Sequence, residues 1–337
     1  MDTFFDPRQT AHAPRQELQN GAFVPYAEKP ERLDAILSVL PTPLAPTDHG
    51  DGPLRAVHTS AYLDFLQSIS AQWKAEGRDG DALPYVFPVN APMHEDFDRV
   101  EARLGRFCYD MGTPITPQSW ESAYWSAQTA LSALSHLSRG DDEHVFALCR
   151  PPGHHAGASY CGGYCFLNNA AISAQAALNA GADRVAILDV DYHHGNGTQD
   201  IFYERADVLV ASLHADPRTD YPFYWGRADE TGKARGAGTT LNLPLPQGTR
   251  IDAYMAALET ALSTIEAFRA DTLIVSFGAD TYENDPISHF KFHMDDYSRL
   301  SAAISRLSIP TLIVMEGGYA VDAIGGIVSG FLDGFAS

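Results

Sequence analysis

From residue 117 onward, short apolar segments alternate with segments of helical pattern, and this alternation constrains the fold more than any other feature. The apolar segments are rich in β-branched residues, as buried parallel strands are. They lie at 145–149, 185–190, 208–213, 240–243, 272–277 and 311–315. Helices are predicted at 117–137, 168–180, 199–204, 251–268, 295–307 and 321–335. This pattern predicts an α/β domain with a mostly parallel, multi-stranded sheet and helices on both faces.

The first 117 residues follow a different pattern. Residues 1–50 are proline-rich and are predicted to be irregular apart from one helix at 30–40. A second helix is predicted at 61–70, behind a cap that includes Thr59. Residues 72–117 combine a polar, glycine-punctuated stretch with an apolar, proline-broken one. Long loops of this kind are usually functional or contact another subunit, and a surface insertion without a role is the alternative.

The composition limits the partners and the location. The chain has 23 basic and 43 acidic residues and a formal net charge of −20, which argues against nucleic acid and anionic membranes as partners. No apolar run approaches the ~18 residues of a membrane span. The N-terminus lacks the basic and apolar regions of a signal peptide. The four cysteines form no C-x-x-C pair, so we expect them to be reduced and buried in a cytoplasmic protein.

The segment at 185–190 leads into a group of chemically reactive side chains. Asp189, Asp191 and His193 are spaced two residues apart, and alternate side chains of a strand share a face. Open α/β sheets have their active sites at the carboxyl ends of the strands. Carboxylates with a neutral imidazole and no cysteine suit a divalent metal used in catalysis. For an isolated motif of this type, the alternative is a helix cap with the histidine bonded to backbone.

Three further loops with reactive groups follow apolar segments. Arg-Pro-Pro-Gly-His-His-Ala stands at 150–156, Gly-Ala-Asp at 278–280 and Glu-Gly-Gly-Tyr at 316–319. Because parallel strands end at the same edge of a sheet, all four loops should open on one edge. Each motif alone has a structural explanation as a turn, a cap or loop packing. Together, and in this order, they indicate one active site in a single domain that covers residues 1–337.

These motifs resemble those of the zinc-dependent histone deacetylase superfamily. Gly-Gly-Tyr-Cys-Phe-Leu-Asn-Asn at 162–169 and Ser-Leu-His at 212–214 add to the resemblance. The similarity is greatest to the bacterial acetylpolyamine amidohydrolase branch, which the stretches at 197–205 and 230–233 also resemble. The resemblance extends from about residue 1 to the C-terminus.

The resemblance implies one Zn²⁺ per chain, with Asp191, His193 and Asp280 as its ligands. Three protein ligands leave an open position for a water molecule and the substrate carbonyl. Zinc there would lower the pKa of the water and polarise the acetyl oxygen. Fe²⁺ is the alternative metal.

The resemblance also implies roles for the remaining catalytic groups. His155 would be the general base and acid, and His154 would orient water and stabilise charge. Tyr319 would donate its hydroxyl to the developing oxyanion. Asp189 would accept a hydrogen bond from His154, and Asn196 one from His155. Since Asn196 is neutral where some relatives have aspartate, His155 should be less basic here.

A monovalent cation, K⁺ or Na⁺, is implied near the zinc. Its ligands would be the Asp189 carboxylate and carbonyl, the Ser212 hydroxyl and the Leu213 carbonyl, with the carbonyls of Asp191 and His193. Such a cation would partly offset the buried carboxylates. By contrast, we expect His194 to be structural. Surface positions are expected for His12, His49, His136 and His144.

The substrate-binding residues implied by the resemblance are Gly163, Tyr164 and Tyr221. The two tyrosines would flank a narrow channel, and the Gly163 carbonyl would accept the amide N–H. A slender cationic chain suits an aromatic channel with an acidic mouth. Candidates for the acidic mouth are Glu95, Asp96, Asp98, Asp110 and, as our chosen candidate, Glu101. Near Gly112 the branch pattern predicts an acidic residue that is missing, which makes a short acetylated diamine a candidate substrate.

We therefore expect a zinc-dependent amidohydrolase that removes acetyl groups from small polyamines or diamines and releases acetate and the free amine. In the branch that it resembles, the insertion at 72–117 joins two subunits and narrows the active-site entrance, which implies a homodimer. A deacetylase of acetyl-lysine in proteins is the first alternative. A non-catalytic module that binds acetylated amines and a ureohydrolase with paired manganese ions are more remote alternatives.

Overall fold

A seven-stranded parallel sheet forms the centre of the computed structural model, which describes residues 1–89, 94, 96–140 and 142–335. The strands are β1 (Asp2–Phe4), β2 (Gln16–Gln19), β3 (Ala22–Pro25), β4 (His144–Ala147), β5 (Val185–Asp189), β6 (Val208–Ala215), β7 (Thr240–Leu245), β8 (Thr272–Phe277) and β9 (Thr311–Met315). The order in the sheet is β1-β4-β9-β8-β5-β6-β7. Strands β2 and β3 pair separately as an antiparallel hairpin.

The helices between the strands are mostly long enough to cover the sheet. They are α1 (Glu31–Leu37), α2 (Gly52–Arg55), α3 (Ser60–Ala75), α4 (Val100–Phe107), α5 (Ser119–Ser138), α6 (Asn169–Asn179), α7 (Asn196–Phe202), α8 (Ile251–Phe268), α9 (Asp296–Ser305) and α10 (Val321–Asp333). Short 3₁₀ helices lie at Pro7–Ala11 and Ala234–Gly236.

The two faces of the sheet are buried under different helices. Along β5, Ala186 and Leu188 pack into a core with α1, α8, α9 and α10. The alternate residues Val185 and Ile187 pack against α5 and α6. Alternation of this kind explains why every residue of β5 is apolar up to Asp189. The predicted α/β domain with helices on both faces is confirmed.

A third apolar cluster lies beyond the helix layer. It contains residues of α2, α3 and α4, which pack against α5 and against the chain from Cys161 to Ile172. Part of the stretch at 72–117 therefore belongs to the core, through Val100, Leu104 and Phe107 of α4. This layer lies beside the loop that contains Gly163 and Tyr164.

Several predicted helices and strands agree with the structure, and three have the predicted ends, namely α8, β8 and β9. The Thr59 side chain accepts a hydrogen bond from the Tyr62 amide and caps α3, as expected. Two expectations were wrong. Residues 1–50 include the edge strand β1, and the stretch at 72–117 includes α4. Both elements are short, so neither shows a clear periodicity in the sequence.

The expectation for His12 was also wrong, because its side chain is fully buried. Its ring nitrogens lie 2.8 Å from Ser119 Oγ and 3.2 Å from the Tyr26 hydroxyl, and these two contacts satisfy a polar ring in the interior. All four cysteines are free and buried, as expected. Among the described residues, the helices are either too short or too polar to cross a bilayer.

Candidate active site

Four loops meet at the carboxyl edge of the sheet. They follow β4, β5, β8 and β9. These four strands are consecutive in the sheet, in the order β4-β9-β8-β5. In the register, Asp189 at the end of β5 lies between Ser212 of β6 and Ser276 of β8. The parallel arrangement therefore brings the reactive residues of all four motifs to one place.

Asp191, His193 and Asp280 form a buried cluster in which their possible ligand atoms lie within 4.8 Å of one another. His193 Nδ1 is 2.9 Å from Asp280 Oδ2 and 3.4 Å from Asp191 Oδ1. Burial and the neighbouring Asp191 carboxylate raise the pKa of Asp280 to about 7. A divalent cation between these groups would remove that repulsion. Two carboxylates and one imidazole are a donor set that suits catalytic zinc.

Backbone amides fix the two carboxylates of this cluster. Asp191 accepts from the His193 amide at 2.8 Å and from the Gly317 amide at 2.9 Å, and Asp280 accepts from the Tyr192 amide at 3.0 Å. The approach is so close that a Cβ atom at Gly278 would lie 2.1 Å from Asp191 Oδ2. Only glycine fits at position 278 without displacing the carboxylate.

The tandem histidines lie beside this cluster, with ring centroids 4.1 Å apart. His154 Nδ1 is 2.9 Å from Asp189 Oδ2, and His155 Nδ1 is 2.7 Å from Asn196 Oδ1. Both contacts expected from the resemblance are thus present. The two rings therefore have different electrostatic environments: His154 faces a carboxylate and His155 faces a neutral amide.

This difference separates the pKa values of the two histidines. Burial lowers the pKa of His154, but the charges of Asp189 and Asp191 outweigh burial and raise it to about 10. Burial, together with the positive charges of His154 and His193, holds the pKa of His155 well below its usual range. These opposite shifts favour a protonated His154 and a neutral His155 near pH 7.

Glu316 anchors the loop that contains both histidines, a role that the sequence did not reveal. Its Oε2 atom accepts from the Gly153 amide at 2.6 Å and from the His154 amide at 3.1 Å. Its Oε1 atom accepts from the Ser276 hydroxyl at 3.1 Å. Burial raises the pKa of Glu316 to about 7. The glutamate that opens the Glu-Gly-Gly-Tyr motif therefore ties the loops after β4 and β9 together.

Tyr319 lies close enough to Asp280 to interact with its charge, and it is held through its backbone. Its amide donates to Asp285 Oδ2 at 2.7 Å. Arg32 donates to the carbonyls of Glu316 and Gly318, both at 2.6 Å, and so fixes the preceding residues. Burial and the charge of Asp280 raise the pKa of Tyr319 well above its usual range, so the phenol keeps its proton.

Tyr164 and Tyr221 lie at the edge of this group of residues. The Tyr221 ring stands perpendicular to the His155 ring at 5.1 Å, and the Tyr164 ring lies 5.6 Å from the Tyr319 ring. Asp110 Oδ2 accepts from the Tyr221 hydroxyl at 2.8 Å. The tyrosines therefore flank His155 and Tyr319.

Gly163 lies against His155, and its position depends on Asp110. The Gly163 amide donates to Asp110 Oδ2 at 2.7 Å, and a Cβ atom at Gly163 would lie 2.2 Å from His155 Cδ2. Among the proposed mouth residues that the structure describes, Asp110 is thus the one that contacts the residues expected to line the channel. Its Oδ2 atom holds both the Gly163 amide and the Tyr221 hydroxyl.

The other acidic candidates are placed differently. Glu101 pairs with the guanidinium groups of Arg78 and Arg99, so its charge is already compensated. Asp96 and Asp98 are exposed. Glu95 lies outside the described residues. The contacts of Glu101 do not support its expected role in substrate binding, because the two arginines occupy its carboxylate.

Glu17 is an acidic residue next to Tyr164 that no sequence motif indicates. It is 2% exposed, and its Oε1 atom accepts from the Tyr164 hydroxyl at 3.1 Å. Its Oε2 atom has no hydrogen-bond partner within the described part of the chain. Burial raises the pKa of Glu17 to about 7. No local motif surrounds this residue of β2, so only the hairpin's position in the fold reveals it.

The residues expected around a monovalent cation are buried next to the cluster. Asp189 is the register partner of Ser212, and Leu213 follows in the same strand. The Asp191 amide donates to Asp189 Oδ1 at 3.1 Å. The Ser212 hydroxyl lies 2.8 Å from His214 Nδ1.

His194 points away from the cluster of Asp191, His193 and Asp280. Its Nε2 atom lies 3.1 Å from the side-chain oxygens of both Gln199 and Asn242. This residue therefore connects α7 to β7, in agreement with a structural role.

Comparison with known proteins shows the class to which this fold and site belong. The model of the histone deacetylase domain matches residues 26–335, and the chain belongs to this family of deacetylases, for which zinc dependence is typical. Acetylpolyamine amidohydrolase 2 of Pseudomonas aeruginosa is 48% identical over 99% of this chain and 98% of its own length. Acetylpolyamine amidohydrolase of Mycoplana ramosa is 43% identical, with all of both chains covered. The crystal structure of acetylpolyamine aminohydrolase from Burkholderia pseudomallei superposes with a TM-score of 0.94 at 39% identity and covers 100% of this chain and 99% of that one.

Proposed function

We propose that this chain is a zinc-dependent amidohydrolase that deacetylates N-acetylated polyamines or short diamines, such as acetylputrescine, acetylcadaverine or acetylspermidine. The products are acetate and the free amine. The observation that carries the proposal is the arrangement of His154, held by Asp189, and His155, held by Asn196, beside the cluster of Asp191, His193 and Asp280. Full-length similarity to enzymes named acetylpolyamine amidohydrolase supports the substrate class.

Asp191, His193 and Asp280 would hold one Zn²⁺ per chain. When bound, the ion supplies Lewis acidity for the acetyl carbonyl and lowers the pKa of a water molecule. The two carboxylates also neutralise its charge. Asp189, Ser212 and Leu213 would contribute ligands to a K⁺ or Na⁺ ion nearby, with the Asp189 carboxylate as the charged group.

His155 transfers the protons in this mechanism. The Asn196 carbonyl oxygen can only accept, so the proton of the neutral ring lies on Nδ1 and the lone pair on Nε2. Nε2 removes a proton from the attacking water and later delivers it to the departing amine. The low pKa of His155 keeps this nitrogen unprotonated at neutral pH.

His154 and Tyr319 stabilise the negative charge that develops on the acetyl group. His154 remains cationic because of Asp189 and provides a positive charge beside His155. Tyr319 keeps its proton and donates it in a hydrogen bond to the oxyanion, while Asp285 and Arg32 fix its backbone in advance. Preorganised donors of this kind make one of the largest contributions to catalysis.

The channel residues favour a slender cationic amine. Tyr164 and Tyr221 present aromatic surface, and Gly163 leaves the backbone close to His155, where its carbonyl can accept the substrate N–H. The carboxyl groups of Glu17 and Asp110 lie behind the two tyrosines. Aromatic faces backed by negative charge attract an ammonium group.

We also propose that two chains form a homodimer through the insertion at 72–117, which narrows the active-site entrance. Three apolar side chains there are strongly exposed, Tyr85 (74%), Val86 (49%) and Val89 (79%). Exposed apolar clusters often mark interfaces. A narrowed entrance disfavours protein acetyl-lysine, the alternative substrate.

The buried free cysteines suit the reducing cytoplasm as the location of the enzyme.

Removal and return of the metal tests the proposed function. Purified protein should release acetate from acetylputrescine or acetylcadaverine, lose this activity on treatment with a chelator and regain it with one equivalent of Zn²⁺. The Asp280→Asn variant should bind zinc weakly and remain inactive after the addition. Full activity in protein shown by elemental analysis to contain no metal would contradict the proposal.

A further inference from the structure

A buried hydrogen bond connects the loop after β5 with the loop that contains Tyr221. The Tyr192 hydroxyl donates to Asp220 Oδ1 at 2.6 Å. Tyr192 is fully buried, and Asp220 is 7% exposed. Tyr192 stands between Asp191 and His193 in the sequence, and Asp220 immediately precedes Tyr221. The bond therefore joins the neighbours of two different functional groups.

The Asp220 carboxylate is the centre of a small network of neutral donors. Besides Tyr192, it accepts from Gln247 Nε2 at 3.0 and 3.2 Å and from Thr219 Oγ1 at 2.6 Å. Its backbone carbonyl accepts from the Phe223 amide at 3.1 Å. Because a carboxylate oxygen accepts, the Tyr192 hydroxyl is the donor of this bond. Asp220 is thus fixed through both its side chain and its backbone.

Tyr221 is positioned from two ends as a result. Asp110 holds its hydroxyl, and Asp220 holds its backbone from the other side. Between these attachments, its ring stands perpendicular to His155 at 5.1 Å and lies 6.1 Å from His193 at an angle of 79°. A change in the backbone position of residue 220 would move this ring across the channel.

We infer that Asp220 is a positioning residue that, through its hydrogen bond with Tyr192, sets the place of Tyr221 relative to the acetyl group. The inference rests on the proposed function, in which Tyr221 lines the channel. The Tyr192–Asp220 bond makes the channel wall move together with the loop of Asp191 and His193. Its loss affects alignment of the substrate, whereas the proton transfer by His155 does not depend on it.

The Tyr192→Phe variant tests the bond because it removes one hydroxyl and keeps the ring, which packs against Phe290 at 4.7 Å. Tyr254→Phe is the matched control, since the Tyr254 hydroxyl is buried but finds no hydrogen-bond partner among the described residues. With acetylcadaverine, Tyr192→Phe should lower kcat/KM about tenfold or more. The zinc content and the acid limb of the pH profile should match those of wild type, and Tyr254→Phe should behave as wild type throughout.

A double-mutant cycle and amide exchange complete the test. If Tyr192 acts through Tyr221, the losses from Tyr192→Phe and Tyr221→Phe should be non-additive. Hydrogen exchange in the segment 216–226 should be faster in Tyr192→Phe and unchanged in Tyr254→Phe. Additive losses, or exchange and kinetics equal to those of Tyr254→Phe, would overturn the inference. Hydrogen exchange requires no turnover, so it reports the bond even in an inactive protein. If exchange is faster in Tyr192→Phe but the wild type hydrolyses no acetylated amine, the proposed function is overturned, and the catalytic role of the bond with it.

Discussion

At the scale of single residues, the pair of His155 and Asn196 determines the pH dependence of the proposed reaction. His155 works as a base only when it is unprotonated, and it meets a neutral amide instead of a carboxylate. Its pKa is held well below the usual range, so the rate should fall only when acidic pH protonates it. The activity should therefore persist at mildly acidic pH.

The Asn196→Asp variant should move the acid limb of kcat/KM to higher pH, by about 1 to 3 units, because a carboxylate favours the protonated imidazole. The measurement is a pH–rate profile with acetylcadaverine. Asn179→Asp is a suitable control, since it adds the same charge at the exposed end of α6. An acid limb that stays in place, or moves to lower pH, would show that His155 is not the base.

His155→Ala and Tyr319→Phe should each lower kcat by roughly 10²–10⁴, because one removes the base and the other the oxyanion donor. Neither residue belongs to the Asp191, His193 and Asp280 cluster, so the zinc content should remain at one per chain. His293→Ala, at an exposed surface position, is the control. Near-full rates in either active-site variant with intact metal would contradict the mechanism.

The principal site residues were predictable from the sequence because they stand in short motifs at strand ends. It did not reveal the residues that support them from a distance. Arg32 reaches the carbonyl of Glu316 across 284 sequence positions, and Glu17 contacts Tyr164 across 147. Contacts of this type depend on how helices and the hairpin pack, and no local pattern reports them. The same reason explains the wrong expectation for His12.

At the scale of the elements, regular patterns were predictable and short irregular ones were not. Helix α8 has the predicted ends because its apolar side is continuous over 18 residues. Helix α4 has only eight residues and follows a proline-rich stretch, so its sequence pattern predicts a loop. Its packing nevertheless places the Tyr109–Asp110 segment beside the loop of Gly163.

Gly163→Ala tests how closely this loop approaches the catalytic residues. The added Cβ atom would lie 2.2 Å from His155 Cδ2 and displace the ring, so kcat should fall at least about tenfold. Gly238→Ala is the matched control, because its φ is also positive but its Cβ atom would meet no atom within 4 Å. Both variants should lose about 1 to 2 kcal/mol of unfolding free energy through backbone strain. Equal activities of the two would contradict the proposed contact.

At the scale of the whole molecule, the acidic composition and the proposed dimer both bear on substrate choice. The net charge of −20 attracts cationic amines at long range. In the proposed dimer, a second chain narrows the entrance, and the sequence of one chain does not give the resulting width.

Replacing Tyr85 and Val89 with aspartate should weaken the dimer, because both side chains are exposed and apolar in the single chain. Sedimentation should then show monomers, and the activity on a peptide substrate should rise relative to that on acetylcadaverine. The pair Asp252→Asn and Glu259→Gln, on an exposed part of α8, provides a control for surface changes. Dimers that persist in the aspartate variant, or a monomer with unchanged selectivity, would contradict the proposed role of the insertion.

The most direct test of the central claim is the ratio of kcat/KM for acetylcadaverine to that for an acetyl-lysine peptide, measured with the zinc-loaded enzyme. Both substrates present the same acetylated primary amine, so the chemical steps contribute equally to the two kcat/KM values. Their ratio therefore measures how well the channel and its entrance admit each substrate. We predict a clear preference for the small amine, with acetylputrescine and acetylspermidine also hydrolysed. An equal or higher kcat/KM for the peptide would contradict the account and identify a protein deacetylase.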